Sequence, residues 1–256
     1  MVPFNSAIPI ASLRKITRTL HDSISRVATG LKIMGGNDAG SQSLANTLSA
    51  RAASFQAVES NTDSGVALLQ LAESALLELN NLATRLKEIG VADTLSTNTT
   101  ADTAALNSEA VYVSDTIDSI VSSLTFNNIN ILGTASKTFA IGINDAGNTQ
   151  TIQSTTGIGA TNINDATNAN TSMTTTIGEI TQSLGALSGS LTSLKAYQNV
   201  ATTTKAHLIQ AASNLQDTDF AAETAKITKQ SLIRNYALAM VATANSEEIE
   251  KLKLLA

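Results

Sequence analysis

The chain has 256 residues, a formal net charge of −5, no cysteine and only 3% aromatic residues. This length allows one or two domains with a sizeable core, and the missing thiols exclude disulfides, thiolate zinc sites and a cysteine nucleophile. Scattered lysine and arginine in an acidic chain argue against nucleic-acid binding, and no apolar run approaches the roughly 20 residues that cross a bilayer.

The N-terminal segment predicts a helix over about residues 6 to 30. Its apolar residues recur at intervals of three and four, which is typical of one stripe on a helix: Leu13, Ile16, Leu20, Ile24, Val27 and Leu31. No basic residue precedes the short apolar segment of MVPFNSAIPIASLRK, and no A-x-A cleavage site follows it. We therefore do not expect a Sec-type signal peptide.

Two more helices follow along the chain. A long one is predicted over about residues 42 to 91, and a third through Leu106 to Leu124. The polar, turn-prone stretch GVADTLSTNTTADT separates the two. The long helix is apolar on more than one side, so we expect several neighbours to cover it. Its main stripe consists of Leu69, Ala72, Leu76, Leu79, Ala83 and Leu86.

The composition changes between Gly133 and Thr176, where Thr, Asn, Gly, Ser and Ala dominate. KTFAIGI and NTQTIQS predict two short strands, and NDAGN between them predicts a hairpin turn. Because this segment is too polar to hold a core of its own, we expect it to pack on the helices.

A fourth helix carries the most regular heptad pattern of the chain. Sustained heptads of this kind indicate a coiled-coil partner, and the second and third helices are the expected partners. The seam consists of Ile177, Ile180, Leu184, Leu187, Leu191 and Leu194, and resumes at Ala201, Leu208, Ala212 and Leu215.

A last helix is predicted over about residues 221 to 252. Asp217 and Asp219 favour its N-terminus, and Lys251 and Lys253 suit its C-terminal end. Its apolar residues lie on more than one side, so a single partner helix over residues 6 to 30 does not cover them all. The remaining neighbours must come from elsewhere.

The glycines in VATGLKIMGGNDAG pose the question of a phosphate-binding loop. A P-loop requires a lysine followed by serine or threonine after its last glycine, whereas Gly36 and Asn37 occupy those two places here. The segment also follows a helix rather than a strand. We therefore interpret Gly30 as a helix C-cap and Gly35 and Gly36 as a flexible link.

No catalytic or metal-binding signature is found. His21 and His207 are the only histidines, neither has a second histidine one turn away, and H-E-x-x-H and G-x-S-x-G are absent. We expect surface or interface imidazoles, no cofactor and no metal site. The chain is predicted not to be an enzyme.

Several segments together resemble the bacterial flagellin family. RVATGLKIMGGNDAGSQSLAN is similar to the family's N-terminal element, and NTDSGVALLQLAESALLELNNLATRLKEIGV to its following helix. LTFNNINILG is similar to the turn into its hairpin region, and LQDTDFAAETAKITK with ALAMVATAN to its C-terminal helix. The short middle implies a form without the outer variable domains.

The resemblance implies a mainly α fold: a long-helix coiled-coil bundle with a small hairpin region at about 127–176 and paired N- and C-terminal helices. Residues 1–34 and 219–256 would form an inner terminal domain, and 35–218 a helical rod. Gly35 and Gly36 would give the spoke between them flexibility. Subunit packing would involve Leu13, Ile16, Leu20, Ile24, Val27 and Leu31 with Leu232, Tyr236 and Ala239.

The implied function is a structural subunit of the extracellular flagellar filament, exported unfolded by a type III apparatus and polymerised as its terminal helices order. Implied partners are further copies of the chain, hook-associated junction and cap proteins, and a secretion chaperone on the C-terminal helix. A host innate immune receptor could recognise Arg85, Glu88 and Ile89. The alternatives are a hook–filament junction protein and a type III needle-tip or translocon coiled-coil protein.

Overall fold

The computed structural model describes residues 4–32, 39–159, 161 and 163–255. Within these ranges it contains five helices and two small antiparallel strand pairs, which confirms the predicted mainly α fold. In chain order they are α1 (Phe4–Thr29), α2 (Ala39–Asp93), α3 (Thr100–Ser123), β1 (Thr125–Phe126), β2 (Ile129–Asn130), β3 (Lys137–Gly142), β4 (Thr149–Thr155), α4 (Ala166–Gln216) and α5 (Phe220–Leu255).

The chain forms two compact units. The terminal unit comprises Met1–Ala50 with His207–Ala256, and the central unit comprises Arg51–Ala206.

The central unit has a core built from α2, α3, α4 and the hairpin segment. All six residues of the predicted α2 stripe are completely buried, from Leu69 to Leu86. Ile117 of α3, Ile180 of α4 and Ile152 of β4 complete the same core. The predicted partners of α4 are therefore confirmed, as is the packing of the hairpin segment on the helices.

The most deeply buried line of α4 differs from the predicted heptad seam. It includes Thr176 and Ser183, whereas Ile177, Leu184 and Leu191 are only partly buried. The reason lies at the end of β4, where the Ser183 hydroxyl accepts a hydrogen bond from the backbone N–H of Thr156 at 3.1 Å. A hydroxyl is needed at this position because a buried backbone donor requires a partner.

Local sequence explains how α3 starts. Thr99 and Asp102 form a capping box, in which the Asp102 N–H donates to the Thr99 hydroxyl and the Thr99 N–H donates to the Asp102 carboxylate. This arrangement satisfies backbone donors that the first helical turn leaves free.

Two hairpins follow α3. β3 and β4 pair antiparallel as predicted, and Arg51 of α2 donates to Asp145 in their connecting turn at 2.6 Å. β1 and β2 form a second hairpin that was not predicted. Its turn consists of Asn127 and Asn128 with φ of 50° and 62°, the left-handed pair that a two-residue turn of this type requires.

In the terminal unit, α1 ends where predicted. Gly30 has a φ of 71° and donates its N–H to the carbonyl of Arg26 at 2.8 Å, which is the geometry of a helix C-cap. The chain then forms a backbone bridge with the α4–α5 connection: Lys32 N–H donates to Gln216, and Thr218 N–H donates to Gly30.

The start of α5 was also predicted correctly. The Asp219 carboxylate accepts hydrogen bonds from the backbone N–H groups of Ala221 and Ala222 at 2.9 and 3.1 Å. It therefore caps the helix and places negative charge at the positive end of the helix dipole.

α1 and α5 pack against each other, which confirms the predicted pairing of the terminal helices. Near the end of α1 and the start of α5, Glu223 is only 5% exposed. It accepts hydrogen bonds from Lys226 at 2.7 Å and from Arg26 at 3.5 Å. Since the end of one helix lies beside the start of the other, the pair is antiparallel.

The pKa of the Glu223 carboxyl is lowered from its ordinary value. The main cause is the hydrogen bond from Lys226; Ser23 and the charge of Arg26 act in the same direction, while burial opposes them. The ionised form is therefore the one that the folded terminal unit favours.

We predict that Gly90→Ala destabilises the central unit by about 1–3 kcal/mol, the usual cost of overpacking. A Cβ at Gly90 of α2 would lie 2.5 Å from the backbone nitrogen of Asn170 in α4. The matched control is Gly178→Ala in α4, where a Cβ meets nothing within 4 Å; it should stabilise by about 0.5–1 kcal/mol. Urea unfolding followed by circular dichroism measures both, and equal effects would contradict the close approach.

We predict that Glu223→Gln lowers the free energy of unfolding at pH 6 and that the difference from the unchanged chain shrinks as the pH falls below the unfolded pKa of glutamate. The folded chain holds the Glu223 pKa below its ordinary value, so the carboxylate stabilises above the unfolded pKa of about 4.3. That contribution is lost as the pH falls through the lowered folded value. Urea titrations at several pH values measure it. Glu247→Gln at an exposed position of α5 is the control for the loss of one negative charge from this helix.

Candidate subunit-assembly surface

The structure describes residues 27–32 and 39–40 of the glycine-rich segment. Gly30 is the C-cap of α1, with the Phe220 ring 3.8 Å from where its Cβ would be. Gly35 and Gly36, the predicted flexible link, lie outside the described residues. The sequence has neither the lysine nor the hydroxyl that a phosphate loop uses.

Among the described residues, acidic and histidine side chains do not converge as they would in a metal centre. In the part of the chain that the structure covers, no three His, Asp or Glu side chains meet in a way that could hold a metal ion. His21 and His207 are both exposed, as predicted. None of the described helices is long and apolar enough to cross a membrane.

A cleft of about 750 Å³ lies in the central unit beside the C-terminal half of α3. Its walls carry Asp115, Asp118 and Lys137 together with serine, threonine and asparagine side chains. Asp118 already accepts hydrogen bonds from the backbone N–H and hydroxyl of Thr161 at 3.0 and 3.1 Å. Its contacts are thus those of a group that fixes the segment before α4.

The feature that stands out is the apolar surface of α5. Tyr236 is 74% exposed, Met240 67% and Leu232 56%. Exposed apolar surface of this kind is common at protein interaction sites. It confirms that α5 is apolar on more sides than α1 covers. The exposed large apolar side chains of α5 are Phe220, Leu232, Ile233, Tyr236, Leu238, Met240 and Ile249.

The structure divides the nine residues predicted for subunit packing into two groups. Leu20 is buried and Leu13, Ile16 and Val27 are partly buried, so these four contribute to packing within the chain. The exposed members are Ile24, Leu31, Leu232, Tyr236 and Ala239. Only the second group has exposed side chains.

The prediction omitted the other five large apolar residues of this surface: Phe220, Ile233, Leu238, Met240 and Ile249. They lie outside the stripe that sequence spacing selected, and their exposure follows from the position of α1. In the sequence, this wider surface was indicated by the apolar residues that occur all round α5.

The surface predicted as a receptor epitope lies on α2 in the central unit. Arg85 donates to Glu109 of α3 at 2.7 and 3.0 Å and to Glu88 at 3.3 Å. The hydrogen bond to Glu109 is the main reason why the pKa of Arg85 is raised. Ile89 is only 1% exposed and belongs to the core, so of the three predicted residues Arg85 and Glu88 are the accessible ones.

Comparisons with known proteins show which family this sequence matches. The family model described as the bacterial flagellin N-terminal helical region matches residues 5–137. The chain is 30% identical to the flagellin of Escherichia coli K12 over 142 residues, covering 55% of this chain but only 28% of that protein. It is 28% identical to the flagellin of Halalkalibacterium halodurans over 246 residues, covering 91% of this chain and 90% of that one.

Among solved structures, a crystal structure of Bacillus cereus flagellin matches with a TM-score of 0.48 and 25% identity, over 55% of this chain and 88% of that chain. The family model covers more than half of the residues, from the start of α1 to the first residue of β3. This chain therefore belongs to the bacterial flagellin family.

Proposed function

We propose that this chain is a structural subunit of the bacterial flagellar filament, exported unfolded and polymerised through its terminal helices into a helical tube for swimming motility. The observation that carries the proposal is the exposed apolar surface of α5, in a chain that belongs to the flagellin family. Its role is structural rather than enzymatic. The relatives named above are flagellins, which favours the filament over the hook–filament junction and over type III needle-tip or translocon proteins.

Apolar burial supplies the driving force for polymerisation. Burying exposed apolar area contributes roughly 25 cal/mol per Å², and only a further molecule can cover the surface that α1 leaves open. Because an isolated helix is marginally stable in water, ordering of the terminal helices and assembly reinforce each other. A head-to-tail contact whose rotation does not close produces an open helical polymer.

The two ends of the chain would form the inner layer of the tube. In this proposal residues 1–34 and 219–256 make the inner layer, 35–218 form the rod, and Gly35 with Gly36 allow the spoke between them to bend. The exposed group of packing residues, among them Ile24 and Leu232, would contact neighbouring copies, while the partly buried group would hold α1 against α5.

The same surface explains the proposed partners. Before assembly, exposed Leu232, Tyr236 and Met240 would promote aggregation, so a secretion chaperone that covers the C-terminal helix fits this chain. Once outside the cell, the subunit would contact other copies, the hook-associated junction proteins and the cap.

A second role concerns recognition by a host innate immune receptor through α2. Arg85 and Glu88 are exposed, with side-chain exposures of 54% and 62%, and form a charged cluster with Glu109. A planar guanidinium presented in this way is a frequent anchor of protein interfaces.

The first experiment tests the assembly surface with two equally exposed tyrosines. Tyr236 on α5 and Tyr112 on α3 are both 74% exposed. Tyr236→Asp should raise the critical concentration for polymerisation by about tenfold or more, since it places a charge in an apolar contact. Tyr112→Asp should leave it unchanged. Seeded polymerisation followed by electron microscopy provides the measurement.

A truncation without residues 237–256 gives the broader form of the same test. It should leave a folded, soluble central unit, seen as retained helical circular dichroism, that no longer polymerises. Filaments from the truncated chain would refute the proposed role of α5.

The second experiment concerns the receptor. Arg85→Ala should reduce signalling in a receptor reporter assay by about tenfold, as loss of an interface arginine does. Arg51→Ala is the matched control, because Arg51 is also an ion-paired arginine of α2 with a similar side-chain exposure of 51%. Equal signalling by the Arg85 variant and the unchanged chain would exclude this surface as the epitope.

A further inference from the structure

The contact between α1 and α5 follows a coiled-coil seam. On α1 a line of buried and half-buried residues recurs at intervals of three and four, with Thr17, Thr19, Ser25 and Arg26 half-buried beside it. On α5 the less exposed residues recur at three, four and seven. Both spacings are those of a coiled-coil seam. The α1 stripe is Leu13, Ile16, Leu20, Ser23, Val27 and Gly30, and the α5 stripe is Glu223, Ile227, Gln230, Ala237, Val241 and Ala244.

The fully buried polar residues of this seam, Ser23 and Glu223, form one polar step with Arg26 and Lys226 beside them, whereas Gln230 is only half-buried. Ser23 is 6% exposed and Glu223 5%. Glu223 lies against Ser23, Arg26 and Lys226, all of which favour its ionised form. Polar residues at buried seam positions are known to select one register of a coiled coil, at some cost in stability.

The polar step is not built as a strong stabilising contact. Arg26 approaches Glu223 only to 3.5 Å. One Glu223 carboxylate oxygen and the Arg26 Nε are buried without a hydrogen-bond partner among the described residues. Burying charges costs desolvation energy that contacts of this kind offset only in part, so an apolar pair would serve stability as well or better.

A change of register would remove the partners of Glu223. Sliding α5 by one heptad in one direction places Glu223 beside Ile16, with Thr19 where Arg26 was. Sliding it in the other direction places Glu223 beyond Thr29, the last residue of α1. Both slips leave the carboxylate without the cation that faces it now, whereas the apolar residues of the seam would tolerate either slip.

We propose that the polar step of Ser23, Arg26, Glu223 and Lys226 sets the register of α5 against α1 and thereby positions the assembly surface. The register determines which residues of α1 lie level with Leu232, Tyr236 and Met240 of α5, and hence the shape that a neighbouring copy meets. This role of the surface rests on the proposed function, whereas the register itself does not.

The backbone bridge between Gly30–Lys32 and Gln216–Thr218 is the competing explanation, because it also ties the end of α1 to the start of α5. The two explanations differ in what happens when the glutamate is moved along α5. If the polar step sets the register, moving the glutamate along α5 shifts the register by the same amount. If the backbone bridge sets it, the register is the same after the glutamate is moved.

The cysteine-free sequence permits a direct measurement of register. Continuing the observed register along both helices at about 1.5 Å per residue brings Leu20 level with residues 226 to 229. A Leu20→Cys, Ile227→Cys chain therefore reports the present register. A Leu20→Cys, Arg234→Cys chain reports a slip of one heptad, since a disulfide needs Cα atoms within about 7 Å.

Each cysteine pair is introduced separately into three full-length backgrounds. These are the unchanged chain, a chain with Glu223→Leu and Gln230→Glu, and a control chain with Glu247→Leu. The second chain moves the glutamate by one heptad, so that residue 230 would meet Ser23 and Arg26. After mild oxidation with oxidised glutathione, mass spectrometry of unreduced peptides measures the two intramolecular disulfides. Circular dichroism measures helix content.

In the unchanged chain and in the control, we expect the 20–227 disulfide to exceed the 20–234 disulfide by about tenfold or more. The reason is that a slipped register would leave the buried Glu223 carboxylate without Arg26, which is costly. In the chain with the moved glutamate the ratio should invert. A helical chain with the moved glutamate that retains the 20–227 disulfide would overturn the proposal in favour of the bridge. Loss of its helical signal would also overturn it, because the polar step would then serve stability.

Polymerisation of each chain is recorded separately by electron microscopy. If the register shifts as expected while the unchanged chain forms no filaments, the proposed function fails and the register inference stands. If the unchanged chain polymerises and the register does not shift, the register inference alone fails.

Discussion

An imbalance of apolar surface between α1 and α5 underlies the behaviour proposed for this chain. α5 carries large apolar side chains on several sides, and a single helix packed against it covers only one of them. Burying the uncovered side would be favourable, but a single copy of the chain leaves it exposed. The same exposure makes a free copy of the chain prone to unwanted association, and in the proposed assembly neighbouring copies cover it.

The central unit meets the same problem within one chain. α2 is also apolar on more than one side, but α3, α4 and the hairpin segment surround it, and its stripe from Leu69 to Leu86 is fully buried. The apolar side chains of α2 are thus more fully buried than those of α5, because the topology gives α2 more neighbouring elements. The contrast explains why assembly is assigned to the ends of the chain and not to its middle.

Polar groups determine geometry where apolar contacts leave it open. Apolar burial is not directional, so a helix seam of small aliphatic residues tolerates sliding and rotation. Ser183 fixes the rotation of α4 by accepting from the backbone beside β4. Asn130 ties the β1–β2 hairpin to the end of α3 by donating to Val121 and Ser122. Glu223 plays the corresponding part between α1 and α5. In each case a few hydrogen bonds select one arrangement among several that bury similar apolar area.

Sequence alone determined the helices, the β3–β4 hairpin, the C-cap at Gly30 and the N-cap at Asp219, because periodicity and caps depend on residues within a few positions of each other. It also determined that α5 has too much apolar surface for one partner. Only the tertiary structure decided that Ile89 lies in the core, that Thr176 and Ser183 lie on the buried line of α4, and which packing residues of α1 face outward. Hydrophobic spacing describes how amphipathic a helix is, whereas the face that becomes buried depends on neighbours distant in the chain.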